Sequence, residues 1–332
     1  MSEKKVRWGV ISTANIGRWA VNPAIQASQN GELIAVASRD EARAREFAEQ
    51  GGIPIAYGSY EALLADDDID AVYIPLPNGL HREWTIRAAE AGKHVLCEKP
   101  LALSEAECRE MAAAADANGV KLMEAFMYRF HPRSELMIDM MRGGHVGELR
   151  MIQSVFTFRL KSPDNIRLDP ELGGGALMDV GCYCVNLSRT AAGCEPVEAQ
   201  AIAVQSPSGV DEMMTGTLRF PNDLLASFQC GLNTKRREAY ELGGTEACLR
   251  VADAFLPGDD DVIIEEQRDG AEPITHPIAG VDEYRLMVEH FADCALTGAN
   301  PRYPVAEAAL NMRAIEALYA SARQNGVPVT IG

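Results

Sequence analysis

Short apolar runs alternate with helical patterns through the first third of the chain, and this alternation limits the fold more than any other feature. The runs Val6–Ser12, Leu33–Ser38, Ala71–Leu76, His94–Glu98 and Lys121–Phe126 are largely apolar. Strands of this kind are buried on both faces, as in a parallel sheet with helices on each side. We therefore predict an α/β domain with a doubly wound parallel sheet over residues 1–124.

A different pattern follows, in which strand-like segments succeed one another with few helices between them. It is typical of an antiparallel sheet, so we predict an α+β domain over residues 125–332 with a large, mostly antiparallel, open-faced sheet. Helical patterns at about residues 283–325 close the chain, and the sequence leaves open whether they pack back on the first domain. The strand-like segments are Leu149–Leu160, Val197–Gln205, Met213–Phe220, Leu224–Cys230, Arg237–Leu242, Cys248–Val251 and Val262–Gln267.

The acidic composition argues against nucleic acid or membrane as partners. The 332 residues include 31 basic and 48 acidic side chains, which give a formal net charge of -17. Such a surface repels phosphate backbones and anionic lipids, and no apolar run reaches the ~20 residues needed to span a bilayer. Met1–Lys5 leads directly into a strand and leaves no room for a signal peptide, so we expect a cytoplasmic protein. No spacing of His, Cys or carboxylate residues suggests a metal site.

The turn after the first predicted strand is similar to a Rossmann dinucleotide-binding loop. The fingerprint G-x-G-x-x-G would place glycines where this chain has Ser12, Ala14 and Gly17. Small residues still let the backbone approach a pyrophosphate, and the following helix offers free N–H groups. The alternative is a close strand–helix turn that binds no ligand. The residues expected to bind the cofactor here are Ser12, Thr13, Ala14, Asn15 and Ile16.

The end of the second predicted strand favours NADP over NAD. An NAD site places Asp or Glu there to bind the ribose 2′-hydroxyl, whereas this chain has Ser38 and Arg39. A hydroxyl and a guanidinium suit a 2′-phosphate, while Asp40 is placed to cap the next helix. We predict NADP as the cofactor, with NAD as the alternative. Arg39 could also be an ordinary surface cation.

Four longer motifs identify a family. They are DAVYIPLPNGLH at residues 70–81, AGKHVLCEKP at 91–100, MEAFMYRFHP at 123–132 and GGGALMDVGCY at 173–183. With them the chain resembles the glucose–fructose oxidoreductase, inositol dehydrogenase and rhizopine-catabolism (Gfo/Idh/MocA) family over nearly its whole length. Tyr183 stands where many members carry histidine. In this respect the chain is similar to the branch of glucose–fructose oxidoreductase, D-xylose 1-dehydrogenase and dihydrodiol dehydrogenase.

The resemblance implies an NAD(P)-dependent dehydrogenase that acts on CH–OH donors, with Lys99, Asp179 and Tyr183 as catalytic residues. Lys99 is implied to reach the nicotinamide and the substrate, and Asp179 and Tyr183 to reach in from the second domain. Arg129 and His131 are expected to bind substrate together with Asp179. Further cofactor contacts are expected at the ends of the third and fourth strands, from Pro75, Leu76, Asn78, His81, Glu98 and Lys99.

The expected chemistry also follows from the residue types. Removing a hydride from a hydroxyl-bearing carbon needs a base for the hydroxyl proton, and the phenol of Tyr183 becomes one if the ammonium of Lys99 lowers its pKa. Asp179 lies four residues earlier, on the same helix face. Each residue has a structural alternative: Lys99 as a solvated lysine, Asp179 as a helix cap, Tyr183 as a core tyrosine, and His81 as a helix-start histidine.

Together these features predict an NADP-dependent dehydrogenase that oxidises a pyranose at its anomeric carbon to a lactone. The alternatives are a dehydrogenase or reductase of a dihydrodiol or anhydroketose, and a non-catalytic NADP-binding sensor with the same fold. Apolar residues such as Phe156 and Phe228 alternate with Thr157 and Gln229, so both faces of the second sheet carry apolar area. We therefore expect a homodimer or homotetramer formed through this sheet.

Overall fold

The computed structural model describes residues 4–332, which divide into two compact units. The first contains residues 4–127 together with Asp282–Ala309, and the second contains Tyr128–Val281 together with Leu310–Gly332. The N-terminal part of the first unit ends at Met127, whereas the sequence predicts a division between residues 124 and 125. The units differ from the predicted domains because Asp282–Ala309 belongs to the first unit. Met1–Glu3, on which part of the signal-peptide expectation depends, lies outside the described residues.

The first unit is built on a parallel sheet with the strand order β3-β2-β1-β4-β5-β6. Each neighbouring pair is parallel, and side chains such as Val10, Val72 and Val95 are fully buried. The predicted doubly wound sheet is confirmed. Its strands are β1 (Val6–Ile11), β2 (Gly31–Ala37), β3 (Ile55–Tyr57), β4 (Ala71–Ile74), β5 (His94–Cys97) and β6 (Leu122–Glu124).

Helices connect these strands. Asp40 caps the second helix as predicted, because its Oδ1 accepts a hydrogen bond from the N–H of Arg43 at 3.1 Å. A π-helical turn, Gly17–Val21, leads directly into α1. The helices of this segment are α1 (Asn22–Ala27), α2 (Glu41–Gly51), α3 (Tyr60–Leu64), α4 (His81–Glu90) and α5 (Glu105–Ala117).

The second unit contains a sheet with the order β14-β13-β12-β11-β7-β10-β9-β8-β15. Strands β7 and β10 are parallel, and the other neighbours are antiparallel, which confirms the predicted mostly antiparallel sheet. Its strands are β7 (Leu149–Arg159), β8 (Glu198–Gln205), β9 (Asp211–Arg219), β10 (Leu225–Gly231), β11 (Asn233–Gly244), β12 (Cys248–Ala252), β13 (Val262–Gln267), β14 (Ile274–Ile278) and β15 (Val329–Thr330).

Helices α6 (Pro132–Arg142) and α7 (Cys182–Ala192) belong to the second unit. A π-helical turn, Leu177–Gly181, leads directly into α7. This helix packs on β7 and β10, and a side chain at Gly181 would place its Cβ 2.8 Å from the Sγ of Cys230 on β10. The absence of a side chain at Gly181 therefore lets the helix lie close to the sheet.

The other face of this sheet carries exposed apolar side chains. Leu225 pairs with Met151, and Met213 pairs with Val204. Met213 also pairs with Gly231, which lies on the same side of β10 as Leu225, so these residues share one face. Leu225 is 52% exposed, and Ile202 on the same face is 66% exposed. Phe156 and Phe228, by contrast, are buried on the helix-covered face. The sheet is therefore open on one side.

Two helices close the chain, α8 (Glu283–Thr297) and α9 (Val305–Arg323). Helix α8 packs against α1 and β1 in the first unit. The ring of Phe291 lies 5.6 Å from that of the buried Trp8, and the side-chain N–H of Asn30 donates to the carbonyl of Glu289 at 2.8 Å. This packing answers the question that the sequence leaves open for α8. None of the helices in residues 4–332 is long and apolar enough to cross a membrane.

Candidate functional site

The predicted cofactor residues lie at one edge of the parallel sheet. Ser12, Ser38, Pro75 and Glu98 directly follow β1, β2, β4 and β5. Since all these strands are parallel, their carboxyl ends meet at the same edge. The strand order reverses between β1 and β4, which is where open α/β sheets bind ligands.

The loop after β1 keeps a glycine-like backbone without a glycine. Ser12 has a φ of 135°, a conformation that L residues seldom adopt and that the first fingerprint glycine provides without strain. Thr13 is nearly buried, and the helix that starts at Asn15 closes its first turn with the N–H of Arg18 donating to the carbonyl of Ala14 at 3.2 Å. The loop thus takes the tight strand–turn–helix form that brings backbone N–H groups to a phosphate.

Two cations flank the end of β2. Ser38 is nearly buried, and its Oγ accepts from the N–H of Asp40 at 3.3 Å. Arg39 is exposed and interacts with the hydroxyl of Tyr60, which the guanidinium of Arg43 also approaches. Burial nevertheless raises the pKa of Tyr60, so its phenol stays neutral. The sequence pattern at the end of β2 indicates Arg39, but no motif indicates Arg43, which lies one helical turn after Asp40.

The Glu98-Lys99-Pro100 segment is fixed by buried hydrogen bonds. The hydroxyl of Tyr73 donates to Glu98 at 2.7 Å, and the Lys99–Pro100 peptide is cis. The Nδ1 of His81 lies 2.9 Å from the carbonyl oxygen of Pro100, and its Nε2 lies 2.8 Å from that of Leu76. His81 is fully buried, and burial lowers its pKa. Because both ring nitrogens contact backbone, His81 links the turn after β4 to the turn after Lys99. The sequence predicts a cofactor contact for His81, and these two contacts leave neither ring nitrogen for it.

Asp179 lies inside the helical segment that leads into α7. Its backbone N–H donates to the carbonyl of Gly175 at 3.0 Å, and the residue before the π-helical turn is Ala176. Asp179 is therefore not the helix cap. Its Oδ2 accepts from the Nε of Arg167 at 2.6 Å, a charge-assisted bond that orients the carboxylate. Arg167 comes from the preceding loop, and no sequence pattern marked it.

Tyr183 lies in an aromatic cluster of the second unit. Its ring is 5.3 Å from those of Phe156 and Phe255 and 5.8 Å from that of Tyr128. The hydroxyl of Tyr128 donates to the Oδ1 of Asn186 at 2.6 Å. These contacts fix the ring orientation of Tyr183, which is 4% exposed. Neither Asn186 nor Phe255 was singled out from the sequence.

The two other predicted substrate residues are buried. Arg129 lies in the helical turn Met127–Phe130. The Nδ1 of His131 accepts from the N–H of Arg133 at 3.0 Å and caps α6. Burial lowers the pKa of His131 to about 4, so its ring is neutral near pH 7. In this structure its contacts give it a structural role.

The sequence matches two family models. The model described as the GFO/IDH/MocA oxidoreductase family with an NAD-binding Rossmann fold matches residues 6–126. The model of the GFO/IDH/MocA C-terminal domain matches residues 135–250. Together the two models cover well over half of the chain.

Characterised relatives are similar over almost their whole length. A D-xylose 1-dehydrogenase (NADP(+)) of Haloferax volcanii is 42% identical over 95% of this chain and 97% of that protein. A trans-1,2-dihydrobenzene-1,2-diol dehydrogenase of Mus musculus is 32% identical over 94% of this chain and 95% of that protein. Among solved structures, a 3-ketoreductase of Actinomadura kijaniata in complex with NADP and TDP-benzene superimposes with a TM-score of 0.90 at 31% identity. That superposition covers 96% of this chain and 98% of the ketoreductase.

Proposed function

We propose an NADP-dependent sugar dehydrogenase that oxidises an aldopyranose to a lactone, because the chain belongs to the GFO/IDH/MocA oxidoreductase family and its features fit this reaction. It is an oxidoreductase acting on CH–OH groups. The observation that carries the sugar assignment is the 42% identity to the Haloferax volcanii D-xylose 1-dehydrogenase. The alternative, oxidation of a dihydrodiol, is supported by the 32% identity to the mouse enzyme.

The residues at the strand ends fit NADP. The backbone of Ser12 takes the form that a pyrophosphate-binding turn requires. Arg39, which follows Ser38 in the chain, and Arg43 both interact with the phenol of Tyr60, and guanidinium groups suit a 2′-phosphate. We propose that the cofactor is held by the loop Ser12–Ile16, by Ser38 and Arg39, and by Pro75, Leu76, Asn78, Glu98 and Lys99 at the ends of β4 and β5.

The bound nicotinamide would supply the hydride acceptor, and the chain would supply proton transfer and substrate orientation. We propose that the phenol oxygen of Tyr183 takes the proton of the substrate hydroxyl. The ring of Tyr183 is held by Phe156 and Phe255. Arg167 holds Asp179 as an oriented acceptor for substrate hydroxyls. The roles of Lys99, in lowering the pKa of the phenol, and of Arg129, in binding substrate, are part of the same proposal.

The test is a substrate panel with both cofactors. Purified protein is mixed with NADP or NAD and with aldoses, including D-xylose and D-glucose, or with dihydrodiols, and reduced cofactor is followed by absorbance. We expect turnover of an aldose with NADP and formation of a lactone. Turnover of dihydrodiols alone would support the alternative, and binding of NADP without any turnover would support a sensor.

The catalytic assignment needs its own variants. Tyr183→Phe should reduce kcat by about 10²–10⁴-fold, the usual contribution of general acid–base catalysis, and leave the Kd for NADP unchanged. Lys99→Ala should lose at least as much. The double variant should be little worse than the worse single one, because residues that act as a unit are not additive. Near-full activity of Tyr183→Phe would exclude the phenol as the proton-transfer group.

The open face of the second sheet fits a second copy of the chain. Exposed apolar side chains on this face, among them Ile202 and Leu225, lie beside Gln229 and the charged residues Arg237, Glu241 and Arg250. Mixed apolar and polar surfaces of this kind are typical of subunit interfaces. We propose a homodimer or homotetramer formed through this face.

A further inference from the structure

Asp211 is a buried carboxylate that the proposed chemistry does not use. It is the first residue of β9 and is 3% exposed. Its Oδ2 accepts from the backbone N–H of Leu177 at 2.7 Å, and its Oδ1 accepts from the hydroxyl of Tyr319 on α9 at 2.9 Å. The N–H of Ala176 also donates to it. Asp211 thus satisfies free N–H groups at the start of the helical segment that carries Asp179 and Tyr183.

The glycine run before this helix makes the contact with Asp211 possible. Gly175 has a φ of +123°, and a Cβ there would lie 2.2 Å from the Oδ1 of Asp211 and 2.9 Å from the hydroxyl of Tyr319. A Cβ at Gly174 would lie 2.5 Å from the carbonyl oxygen of Arg167. Because these two consecutive glycines have no side chains, two groups can approach the start of the helix. They are the carboxylate of Asp211 and the loop that carries Arg167, the residue that orients Asp179.

Two titratable groups that face Asp211, a phenol and a thiol, are neutral. Tyr319 on α9 and Cys230 on β10 interact with it electrostatically, and Cys182 at the start of α7 interacts with both of them. Burial raises the pKa of Tyr319 and of Cys230 well above their ordinary values. Burial also raises the pKa of Asp211 to about 6, against the opposing effect of its hydrogen bonds. Above this pH the carboxylate is compensated by helix N–H groups and a phenol.

We propose that Asp211 and Tyr319 are positioning residues that fix the start of the segment Leu177–Ala192 and thereby the placement of Asp179 and Tyr183. This role rests on the proposed function, because Asp179 and Tyr183 are proposed there as catalytic residues. A side chain misplaced by about 1 Å can cost a reaction roughly 10²-fold. A loss of helix anchoring should therefore appear in kcat while cofactor binding, which belongs to the first unit, stays unchanged.

The kinetic test compares three variants with the wild type on any substrate that it turns over. Asp211→Ala leaves the N–H groups of Leu177 and Ala176 without their acceptor, and kcat should fall at least about tenfold, with the KM for NADP changed less than about twofold. Asp211→Asn should rescue kcat to within about threefold near pH 7, because the amide oxygen still accepts from Leu177 and the amide nitrogen can donate to Tyr319. Tyr319→Phe should fall between them.

Glu266→Ala is the matched control. Glu266 is also a 3% exposed carboxylate of the same sheet, but it lies on β13 and pairs with Arg268 and His276. Its replacement should leave kcat within about twofold of the wild type, as expected of a site away from the reacting groups. The proposal is overturned if Asp211→Ala keeps full kcat, if Glu266→Ala loses as much, or if Asp211→Asn gives no rescue.

Two further measurements keep the test independent of folding and of the proposed function. Hydrogen exchange of residues 173–183 should accelerate in Asp211→Ala and remain protected in Asp211→Asn; equal protection in both would overturn the proposal even if no substrate is found. If Asp211→Ala does not fold, Tyr319→Phe decides. This variant removes one hydrogen-bond partner of the carboxylate, and its kcat should fall below that of Asp211→Asn while the KM for NADP changes less than about twofold. A Tyr319→Phe protein with the full kcat of the wild type would refute the proposal.

Discussion

Replacing Asp211 with asparagine should change how the stability of the second unit depends on pH. Burial raises the pKa of Asp211 from 3.8 to about 6 in the folded state. A raised pKa means that the protonated form fits the folded chain better. The favourable contribution is therefore fully present below the unfolded pKa of 3.8 and is lost as the pH rises through about 6.

The magnitude follows from the two pKa values. About two pKa units correspond to roughly 3 kcal/mol of destabilisation by the ionised carboxylate at pH 8, and to roughly 1 kcal/mol at pH 4.5. Asparagine cannot ionise and has nearly the same shape. The free energy of unfolding of Asp211→Asn relative to the wild type should therefore rise by about 2 kcal/mol between pH 4.5 and pH 8. Any constant loss from a weaker hydrogen bond cancels in this difference.

The assay is denaturant unfolding at several pH values with two signals. All three tryptophans, Trp8, Trp19 and Trp84, lie in the first unit, so fluorescence reports that unit alone, while far-UV circular dichroism reports both. The pH-dependent difference should appear in the circular dichroism transition. Wild type and Asp211→Asn curves that stay parallel from pH 4.5 to pH 8 would refute the assignment of a raised pKa to Asp211.

Three further predictions concern the cofactor, the carboxylate of Asp179 and the assembly. Arg39→Ala should raise the KM for NADP about tenfold or more and leave the KM for NAD unchanged, because a charge-assisted contact is lost. The control is Arg45→Ala, since Arg45 is an exposed arginine on α2 that pairs with Glu41. Equal effects of Arg39→Ala on both cofactors would contradict the NADP assignment. Arg167→Ala should lower kcat/KM for the sugar about tenfold, since it removes the partner of Asp179, while the Kd for NADP stays constant; an unchanged kcat/KM would show that the ion pair has no part in substrate binding. Leu225→Asp should shift the mass measured by light scattering at micromolar concentration from an oligomer to a monomer; a wild type that is already monomeric would exclude assembly through the open face.

The sequence predicts the elements whose pattern is local and long. Strands such as Val6–Ile11 and Ala71–Ile74 are continuous apolar runs, and their alternation with helices determines the parallel sheet. The short strand Ile55–Tyr57 was missed because it has three residues and follows Pro54. Strand β14 was missed because Pro277 interrupts it.

The predictable part of the site is likewise the part that motifs carry. The strand ends at Ser12, Ser38 and Glu98 follow from the topology alone. The partners of the helix start do not, because they are single residues in distant segments: Asp211 lies 34 positions after Leu177, and Tyr319 lies 108 positions after Asp211. One sequence without periodicity at these positions contains no signal that they meet.

The packing of α8 on β1 has a consequence for folding during synthesis. The ribosome finishes residues 4–127 long before it makes Asp282, the first residue of the returning segment. At about 5–20 residues per second, roughly 155 intervening residues take about 8–30 seconds to synthesise. During this interval the surface around Trp8 and Asn30 that Phe291 and Glu289 later cover is open. An apolar patch that waits this long in the cell is where a holding chaperone would bind the nascent chain.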